Sequence, residues 1–413
     1  MRNVLLVLLL SSVLLNAQTV QYTMPGEDMP HEGTWLQWPH NFTYPPYHQD
    51  DNEPAWLEMV DALITSENVH IVVYDANEKT HVQQVLATAN ISLTNIDFFI
   101  HPNDDYWVRD NGPIFVYDAN YDLTILDFGF NGWGGDTPYS LCDAIPSLLA
   151  TDLNMPVIDL SGFVLEGGSI EIDGHGSVML TRSAVSAADR NPNLTEAQIE
   201  NYMTTYLGLT NFIWLDGQFG GTQDITDMHI DGFAKFVDSS TIITFSNSDL
   251  SYWGLSTSDI AALNAASNAS GIPYTFVTLP LTQNDVVTTW GDDIQFKGSY
   301  VNYYVANTVV LVPIYDDPND SIALNIIQGQ YPNRTVVGID CRNLYFNGGM
   351  VHCVTQQQPI EFNSTSINDL NTKPKELLNI SDILGRKSYE RNNQLLFYIF
   401  DDGTVEKKVI INE

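Results

Sequence analysis

The segment of this chain with the clearest potential for chemistry is 347–359, which reads NGGMVHCVTQQQP. Cys353 follows the glycine pair Gly348 and Gly349 and precedes a polar run. Glycines let a backbone approach a ligand closely, and a cysteine becomes a nucleophile where its surroundings favour the thiolate. The segment therefore predicts a nucleophilic thiol, with a buried structural cysteine as the alternative. We do not expect the adjacent His352 to be the base, because neighbouring strand residues face opposite ways.

A second polar segment, 224–232, reads DITDMHIDG and contains His229 and Asp231. On an extended segment, residues two apart point to the same face. An imidazole for proton transfer would then stand beside a carboxylate for binding a cation. The alternatives are a solvated acidic loop and a cation site that uses Asp224, Asp227 and Asp231. The spacing does not match an EF-hand loop, which argues against the cation site.

Two further segments each place a carboxylate next to a predicted strand. Asp110 lies in 107–113, WVRDNGP, just before an apolar run, where its carboxylate is expected to face a cleft. Glu166 lies in 165–169, LEGGS, where it is expected to project from a strand end beside two glycines. The alternatives are an ion pair between Arg109 and Asp110 in the first segment and a plain turn in the second.

Together these segments supply a soft nucleophile, an imidazole and three carboxylates. No GxSxG motif is present, and the histidine precedes the cysteine, which is the reverse of the papain-like order. Carboxylates around a thiol raise its pKa, which suits a cationic substrate better than a peptide bond. A guanidinium presents a planar fork of N–H donors that carboxylates bind in bidentate fashion, and its charge offsets the acids. The sequence therefore predicts an enzyme that acts on a guanidinium group.

The elements that must position these residues alternate between strands and helices. This alternation predicts an α/β architecture, although no sequence repeat is evident. The predicted strands are 69–74, 114–117, 241–245, 301–305 and 309–313, and the predicted helices are 53–65, 78–89 and 196–207.

Composition excludes several classes of function. The chain has 51 acidic and 16 basic residues and a formal charge of -35, and such a surface repels nucleic acid. The acidic surface serves either solvation alone or the steering of a cationic substrate. Three cysteines cannot form a disulfide framework, and the sequence leaves open whether Cys142 and Cys341 pair. No CxxC or HExxH motif is present, so no metal site is expected.

The N-terminus carries an export pattern. Arg2 precedes an apolar run over 5–15, and a small-residue cleavage pattern ends before Gln18. Residues 1–17 are therefore predicted to be a signal peptide, with an N-terminal anchor as the alternative. The run is too short to span a bilayer comfortably, and no other stretch approaches transmembrane length.

The rest of the chain divides by composition into a large domain, a linker and a tail. Residues 18–361 are predicted to form one domain and 362–375 a polar linker. The tail, 376–413, is β-rich, and 395–400 and 404–411 are predicted to pair as a hairpin.

The four chemical segments, in this order over roughly 20–360, resemble the agmatine deiminase and Porphyromonas-type peptidylarginine deiminase family. The resemblance is most specific in GGMVHCVTQQQP and moderately so in WVRD and EGGS. It implies the pentein fold, a five-bladed α/β propeller with its site on the pseudo-fivefold axis. It also implies chemistry without a metal or an organic cofactor.

The resemblance assigns a role to each predicted site residue. It implies that Cys353 attacks the guanidinium carbon and forms a covalent thiouronium intermediate. His229 then protonates the departing ammonia and activates water. Asp110 and Asp231 hold the guanidinium nitrogens, and Glu166 supports both this grip and His229. The residues expected to contact the substrate are Trp107, Trp133, Asn302, Gly348 and Gly349.

The substrate is predicted from the stretch 130–136, FNGWGGD. Peptidylarginine members of the family carry an arginine cluster there for a substrate carboxylate, and this stretch has no arginine. It resembles agmatine deiminases instead, so the predicted partner is a small cationic guanidine, agmatine. A secreted protein-arginine deiminase is the alternative, and a non-catalytic surface binding module is a more distant one. The sequence gives no oligomeric state.

The tail resembles a type IX secretion sorting domain, on the segments DILGR at 382–386 and LFYIFDDGTVEKK at 396–408. With the predicted signal peptide, this implies passage to the cell surface or the medium through secretion machinery. The tail is shorter than many such domains.

Overall fold

A computed structural model describes residues 22–45, 47–218 and 224–361, together with three strands of the tail. The chain divides into two units, Met1–Glu361 and Phe362–Glu413. The predicted signal peptide and linker lie outside the described residues. Among the described residues, no helix is both long and apolar enough to cross a membrane.

The strands that the structure describes in the first unit are short, and all but β3 and β14 contain buried residues. They are β1 (His31–Gln37), β2 (Asn68–Val73), β3 (Ile96–Ile100), β4 (Ile114–Tyr117), β5 (Leu123–Gly129), β6 (Val157–Val164), β7 (Ile170–Ile172), β8 (Ser177–Thr181), β9 (Asn211–Leu215), β10 (Ala234–Asp238), β11 (Thr241–Phe245), β12 (Thr275–Leu279), β13 (Asp285–Val287), β14 (Asp293–Lys297), β15 (Tyr304–Val305), β16 (Val309–Ile314), β17 (Thr335–Asp340) and β18 (Gln356–Pro359).

The helices lie between these strands, and side chains cap several of them. Asp75 accepts backbone hydrogen bonds at one helix N-terminus, and Thr195 and Gln198 form a capping box at another. The helices are α1 (Tyr47–Leu63), α2 (Ala76–Thr88), α3 (Val108–Asn111), α4 (Gly132–Gly135), α5 (Ile145–Leu153), α6 (Arg182–Val185), α7 (Glu196–Leu207), α8 (Asn247–Trp253), α9 (Thr257–Asn264), α10 (Asp320–Gln330) and α11 (Arg342–Phe346).

Five sheets within the described part of this unit share one three-strand topology, and one of them adds a fourth strand, β3, parallel to β2. In each, a first strand pairs antiparallel with a second, which pairs parallel with a third across a helical connection. This is the strand–helix–strand unit in which helices cover a parallel pair. The sheets are β18-β1-β2-β3, β4-β5-β6, β7-β8-β9, β10-β11-β12 and β15-β16-β17; β13 and β14 form a separate hairpin.

The same place in each sheet is occupied by a short turn, directly before the first strand. Helix α3 precedes β4, and the 3-10 turns Gly167–Ser169, Ile230–Gly232 and His352–Val354 precede β7, β10 and β18. The segment 299–303 precedes β15. Helix α3 packs against the first and last of these 3-10 turns, and the first two 3-10 turns pack together. The fold therefore gathers the segments that the sequence singled out.

Most predicted elements are confirmed to within two residues, but the helix predicted from 53 begins at Tyr47, and the predicted strand 301–305 is wrong over its first three residues. Only Tyr304 and Val305 pair, with Leu311 and Val310. The preceding residues form an irregular buried segment in which Asn302 donates and accepts side-chain hydrogen bonds. The apolar composition correctly indicated that this segment is buried, but its polar contacts hold it in an irregular conformation and not in a strand.

In the second unit the structure describes an antiparallel sheet of Leu377–Ser381 (β19), Leu395–Phe400 (β20) and Val405–Val409 (β21). The predicted hairpin is confirmed, since β20 and β21 pair from Leu395 opposite Val409 to Ile399 opposite Val405. Strand β19, which adds to its other edge, was not predicted.

Candidate active site

The geometry of Gly168 shows that three predicted site residues surround one point. A Cβ atom built on this glycine would lie 2.6 Å from His229 Nδ1, 2.8 Å from Asp110 Oδ1 and 3.0 Å from Asp231 Oδ2. Real Cβ atoms do not approach other atoms so closely. A residue without a side chain is therefore required where the imidazole and the two carboxylates converge.

Cys353 lies beside this point and is partly exposed. Its Sγ is 3.4 Å from Asn302 Nδ2 and 3.9 Å from Asp231 Oδ2. Asn302 also donates to the backbone oxygen of Asp231 at 3.2 Å, so the amide ties two turns together. Burial, together with the negative charges of Asp231 and Asp110, raises the pKa of the Cys353 thiol well above its usual value. The thiol is therefore protonated until a positive charge offsets these acids.

His229 stands between two carboxylates. Its Nε2 is 2.7 Å from Glu166 Oε2, a hydrogen bond, whereas its Nδ1 is 3.6 Å from Asp110 Oδ1, beyond hydrogen-bond length. Burial opposes the charged imidazole, but the charge of Asp110 and the bond to Glu166 together raise the pKa of His229 to about 9. His229 therefore carries a proton at neutral pH and is able to act as an acid.

Asp110 is fixed by two donors. Its Oδ2 accepts from Trp133 Nε1 at 3.0 Å and its Oδ1 from the backbone N–H of Gly168 at 3.0 Å. Burial raises the pKa of Asp110 to about 6, against the charge of His229. Trp133 has a left-handed backbone, with φ 54°, which is uncommon for a bulky residue and typical of functional segments. This conformation belongs to the turn that presents the indole N–H.

Glu166 is held by a buried arginine that the sequence reading missed. Arg190 Nε donates to Glu166 Oε1 at 2.9 Å, while its Nη1 donates to Asp227 Oδ2 at 2.8 Å and its Nη2 to the backbone oxygen of Ile225 at 3.2 Å. The side chains of Glu166 and Arg190 are fully buried. The arginine compensates a carboxylate that would otherwise be costly to bury.

Asp231 accepts a hydrogen bond from His352 Nδ1 at 2.8 Å. Although burial disfavours its charge, this bond and the charges of His352, His229 and Arg109 lower the pKa of Asp231. Asp231 is therefore ionised at neutral pH. That His352 is not the base stays a prediction, but the reason given for it was wrong, because the residue lies in a 3-10 turn and not in a strand.

The two predicted substrate-contacting glycines have structural roles, since Gly349 allows close packing and Gly348 allows a turn. A Cβ atom on Gly349 would lie 2.2 Å from Cζ3 of Trp107, so the turn before Cys353 rests directly on this buried indole. Gly348 has a left-handed backbone, with φ 101°, and forms the turn after α11. Contact of Trp107, Gly348 and Gly349 with a substrate remains a prediction.

Several alternatives from the sequence disagree with the geometry. Arg109 does not pair with Asp110; it contacts Glu27 at 3.4 Å and Gln357 at 3.0 Å. The segment around His229 is not extended, because Ile230–Gly232 is a 3-10 turn. It is this turn that brings the imidazole and the carboxylate together.

The proposed cation site also disagrees with the geometry, because its carboxylates are engaged elsewhere. Asp227 binds Arg190, Asp231 binds His352, and Asp224 accepts from Thr226. Cys142 and Cys341 are buried free thiols and do not pair.

One group of described residues has the spacing of metal ligands. Glu53, Glu78 and His81 place ligand atoms within 4.8 Å of one another. Trp38 and Gln49 already donate to the two carboxylates. The described hydrogen bonds of these three residues do not involve Cys353 or the residues around it.

Comparison with known proteins agrees with this arrangement. Residues 23–359 match the family of Porphyromonas-type peptidyl-arginine deiminases. The chain is 31% identical over 360 residues to a putative agmatine deiminase of Selenomonas ruminantium, covering 82% of this chain and 96% of that protein. It is also 31% identical to the agmatine deiminase of Pseudomonas aeruginosa strain LESB58, with 82% and 95% covered.

Solved structures give the same result. The agmatine deiminase of Enterococcus faecalis superimposes with a TM-score of 0.72 at 26% identity, over 83% of this chain and 96% of that one. A putative arginine deiminase of Porphyromonas gingivalis gives 0.71 at 31% identity, over 82% and 98%. The family that the sequence motifs predicted is confirmed, and the chain belongs to the Porphyromonas-type peptidyl-arginine deiminase family, which has a mixed α/β pentein fold.

Proposed function

We propose that this protein is a cysteine-dependent deiminase that hydrolyses the guanidinium group of agmatine to N-carbamoylputrescine and ammonia. The observation that carries the proposal is the convergence of His229, Asp110 and Asp231 on one point beside the Cys353 thiol. A binding protein has no use for a thiol in this position. The relatives at 31% identity that are named agmatine deiminases support the same reaction.

Binding of the substrate makes the nucleophile. The guanidinium donates its N–H groups to Asp110 and Asp231, whose carboxylates raise the thiol pKa in the free enzyme. The substrate's charge offsets these acids, so the Cys353 pKa falls only when the substrate is in place. The thiolate thus forms where its target carbon is already positioned, which favours attack.

The reaction then proceeds in two halves. Cys353 Sγ bonds to the guanidinium carbon, and the resulting tetrahedral adduct expels ammonia, to which protonated His229 donates its proton. The covalent thiouronium remains. Neutral His229 next takes a proton from water, whose oxygen bonds to the same carbon. The C–S bond then breaks with its electron pair returning to sulfur, the proton of the added hydroxyl passes to this thiolate, and the carbamoyl product leaves the restored thiol. Glu166, bonded to His229 Nε2 at 2.7 Å, stabilises the imidazolium in each cycle.

The choice of agmatine over a substrate with a carboxylate follows from the surroundings of Trp133. The stretch 130–136 has no arginine. Arg190 lies next to it, since a Cβ atom on Gly134 would be 2.7 Å from Nη1 of Arg190. This guanidinium is already bound by Glu166 and Asp227 and is therefore not free to receive a substrate carboxylate. A substrate whose distal end is an amine fits these charges better.

A comparison of substrates tests the proposal. Purified protein is supplied with agmatine, with free arginine and with a peptide ending in arginine, and ammonia release is measured. Agmatine is expected to give the highest kcat/KM. The variant Cys353→Ala is expected to release no ammonia while keeping the wild-type Tm. A higher kcat/KM for the peptide would establish the protein-arginine deiminase reading, and no release from any substrate would favour a binding module.

We also infer the arrangement of the five sheets and the destination of the protein. Five sheets of one topology, each with its site turn before the first strand, and pairing of β1 with β18 at the two ends of the unit support a closed five-bladed propeller. The export pattern of 1–17 and the β-rich tail support secretion or display on the cell surface. Protease accessibility of the protein on intact cells would test the second inference.

A further inference from the structure

Behind Asp231 lies a buried row of charged groups that the proposed reaction does not use. His352 Nε2 is 2.7 Å from Glu27 Oε2, and its Nδ1 is 2.8 Å from Asp231 Oδ2. Glu27 Oε1 lies 3.1 Å from Lys235 Nζ, and Glu27 Oε2 lies 3.4 Å from Arg109 Nη2. The side chains of His352 and Lys235 are both 2% exposed. The row therefore connects the carboxylate next to Cys353 with two buried cations.

The hydrogen bonds of His352 determine how many protons the imidazole and its two carboxylate partners must carry together. A neutral imidazole has one N–H group and one lone pair. Both ring nitrogens of His352 lie within hydrogen-bond distance of a carboxylate oxygen. If His352 were neutral and both Glu27 and Asp231 were ionised, the lone pair of one ring nitrogen would face a lone pair of a carboxylate oxygen. Either the imidazole carries a second proton, or one of the two carboxylates is protonated.

The neighbours of Glu27 and Asp231 assign this proton to the ring. Glu27 faces Lys235 and Arg109 and accepts from the backbone N–H of Val305 at 2.8 Å, which are contacts of a carboxylate. Asp231 is ionised as well, because its bond to His352 Nδ1 and the charges of His352, His229 and Arg109 lower its pKa despite burial. The same reasoning does not apply to His229, because its Nδ1 is 3.6 Å from Asp110 and only its Nε2 is bonded. His229 therefore has one ring nitrogen that is not hydrogen-bonded to a carboxylate, whereas both ring nitrogens of His352 are within hydrogen-bond distance of one.

We propose that His352 is a permanently protonated positioning residue, held by Glu27, that orients Asp231 as a carboxylate beside Cys353. The two histidines then have different roles, since His229 transfers protons, whereas His352 keeps its positive charge and holds Asp231 in place. The role in catalysis rests on the proposed function, whereas the protonation state does not. The charged or titratable groups near the ring are Asp231, Glu27, Arg109, Lys235, Glu171 and Cys353.

Two isosteric variants test the positioning role. In His352→Asn the amide nitrogen takes the place of Nδ1 and keeps the bond to Asp231. In His352→Gln it takes the place of Nε2 and keeps the bond to Glu27. We expect H352Q to lose roughly tenfold or more in kcat/KM for agmatine relative to H352N, because it alone loses the charge-assisted bond to Asp231. The Tm of both variants is measured alongside, since each leaves one buried carboxylate short of a donor.

Equal losses of kcat/KM in the two variants, or a larger loss in H352N, would overturn the positioning role. A purely structural role would lower the two Tm values without separating the two kinetic results. Agmatine turnover by the wild-type protein is measured first, so failure of the proposed function is seen separately.

The protonation state is tested without any substrate. The imidazole nitrogens are labelled with nitrogen-15, and NMR spectra are recorded from about pH 6 to about pH 9. We expect one histidine, absent from the spectrum of H352Q, to keep both ring nitrogens protonated throughout. In Glu27→Gln the amide donates to Nε2, so His352 is expected to become a neutral Nδ1–H tautomer near neutral pH. A single neutral tautomer of His352 in the wild-type protein would place the proton on a carboxylate and overturn the proposal.

Discussion

The acids around Cys353 are expected to suppress its reactivity in the free enzyme, and Asp231→Asn tests this directly. Asp231 Oδ2 lies 3.9 Å from Sγ. Two unit charges about 4 Å apart interact by about 4 kcal/mol at an effective dielectric constant of about 20. Because one pKa unit corresponds to about 1.4 kcal/mol, the substitution lowers the thiol pKa by up to roughly three units. The reactivity of the thiol should therefore rise in D231N. Turnover should be lost instead, because the substitution also removes a carboxylate that binds the guanidinium.

The assay is alkylation by iodoacetamide, a neutral reagent, at about pH 8. A lower thiol pKa increases the fraction of thiolate. The thiolate of a more acidic thiol is also a weaker nucleophile, with a Brønsted coefficient of about 0.5, so a pKa fall of three units accelerates alkylation roughly thirtyfold. Cys142 and Cys341 are fully buried and should not compete, and Cys353→Ala measures any background. The control Glu67→Gln removes another buried carboxylate beside a histidine, His31 at 3.4 Å, and should leave the rate unchanged. Alkylation of folded D231N at or below the wild-type rate would refute the reasoning.

Three further substitutions probe the neighbours of the site. Trp133→Phe removes the donor 3.0 Å from Asp110, a bond that lowers the pKa of this carboxyl, and should lower kcat/KM roughly tenfold and move the acidic limb of its pH profile to higher pH. Gly168→Ala places a methyl group 2.6 Å from His229 Nδ1 and should abolish turnover, and near-normal kcat/KM would show that the cluster is looser than described. Glu166→Gln removes a cause of the high His229 pKa, about 9 against an ordinary 6.5. A raised His229 pKa stabilises the fold below about pH 6.5, and this contribution is lost as the pH rises through about 9. The wild type should therefore lose its stability advantage over E166Q between these two pH values. A difference in the free energy of unfolding that stays constant with pH would contradict this.

The sequence was informative about the site because its key residues occur in short local segments. Cys353, His229 and Asp110 each lie in or beside a turn directly before the first strand of a sheet. Such a turn needs glycine or polar residues next to an apolar run, and this contrast is visible without a structure. The convergence of the segments came from the family resemblance, since spacing alone does not place separate turns at one point.

The supporting groups could not be predicted in the same way. Glu27 binds His352 from the opposite end of the unit's sequence, and Arg190 reaches Glu166 from the turn between α6 and α7. Neither lies in a segment with a recognisable pattern, and buried ion pairs are set by tertiary packing. The one available signal was Lys235, a charged residue inside the apolar strand β10, because a lysine is seldom fully buried without a partner.

The central claim is that Cys353 forms a covalent bond with the guanidine carbon. The most direct measurement is to mix the protein with agmatine, quench with acid before turnover is complete, and map the modified peptide by mass spectrometry. We expect the peptide containing Cys353 to gain the mass of agmatine less ammonia, with no such gain in Cys353→Ser. Ammonia release by the wild-type protein without any adduct on Cys353, or undiminished release by the serine variant, would contradict the account.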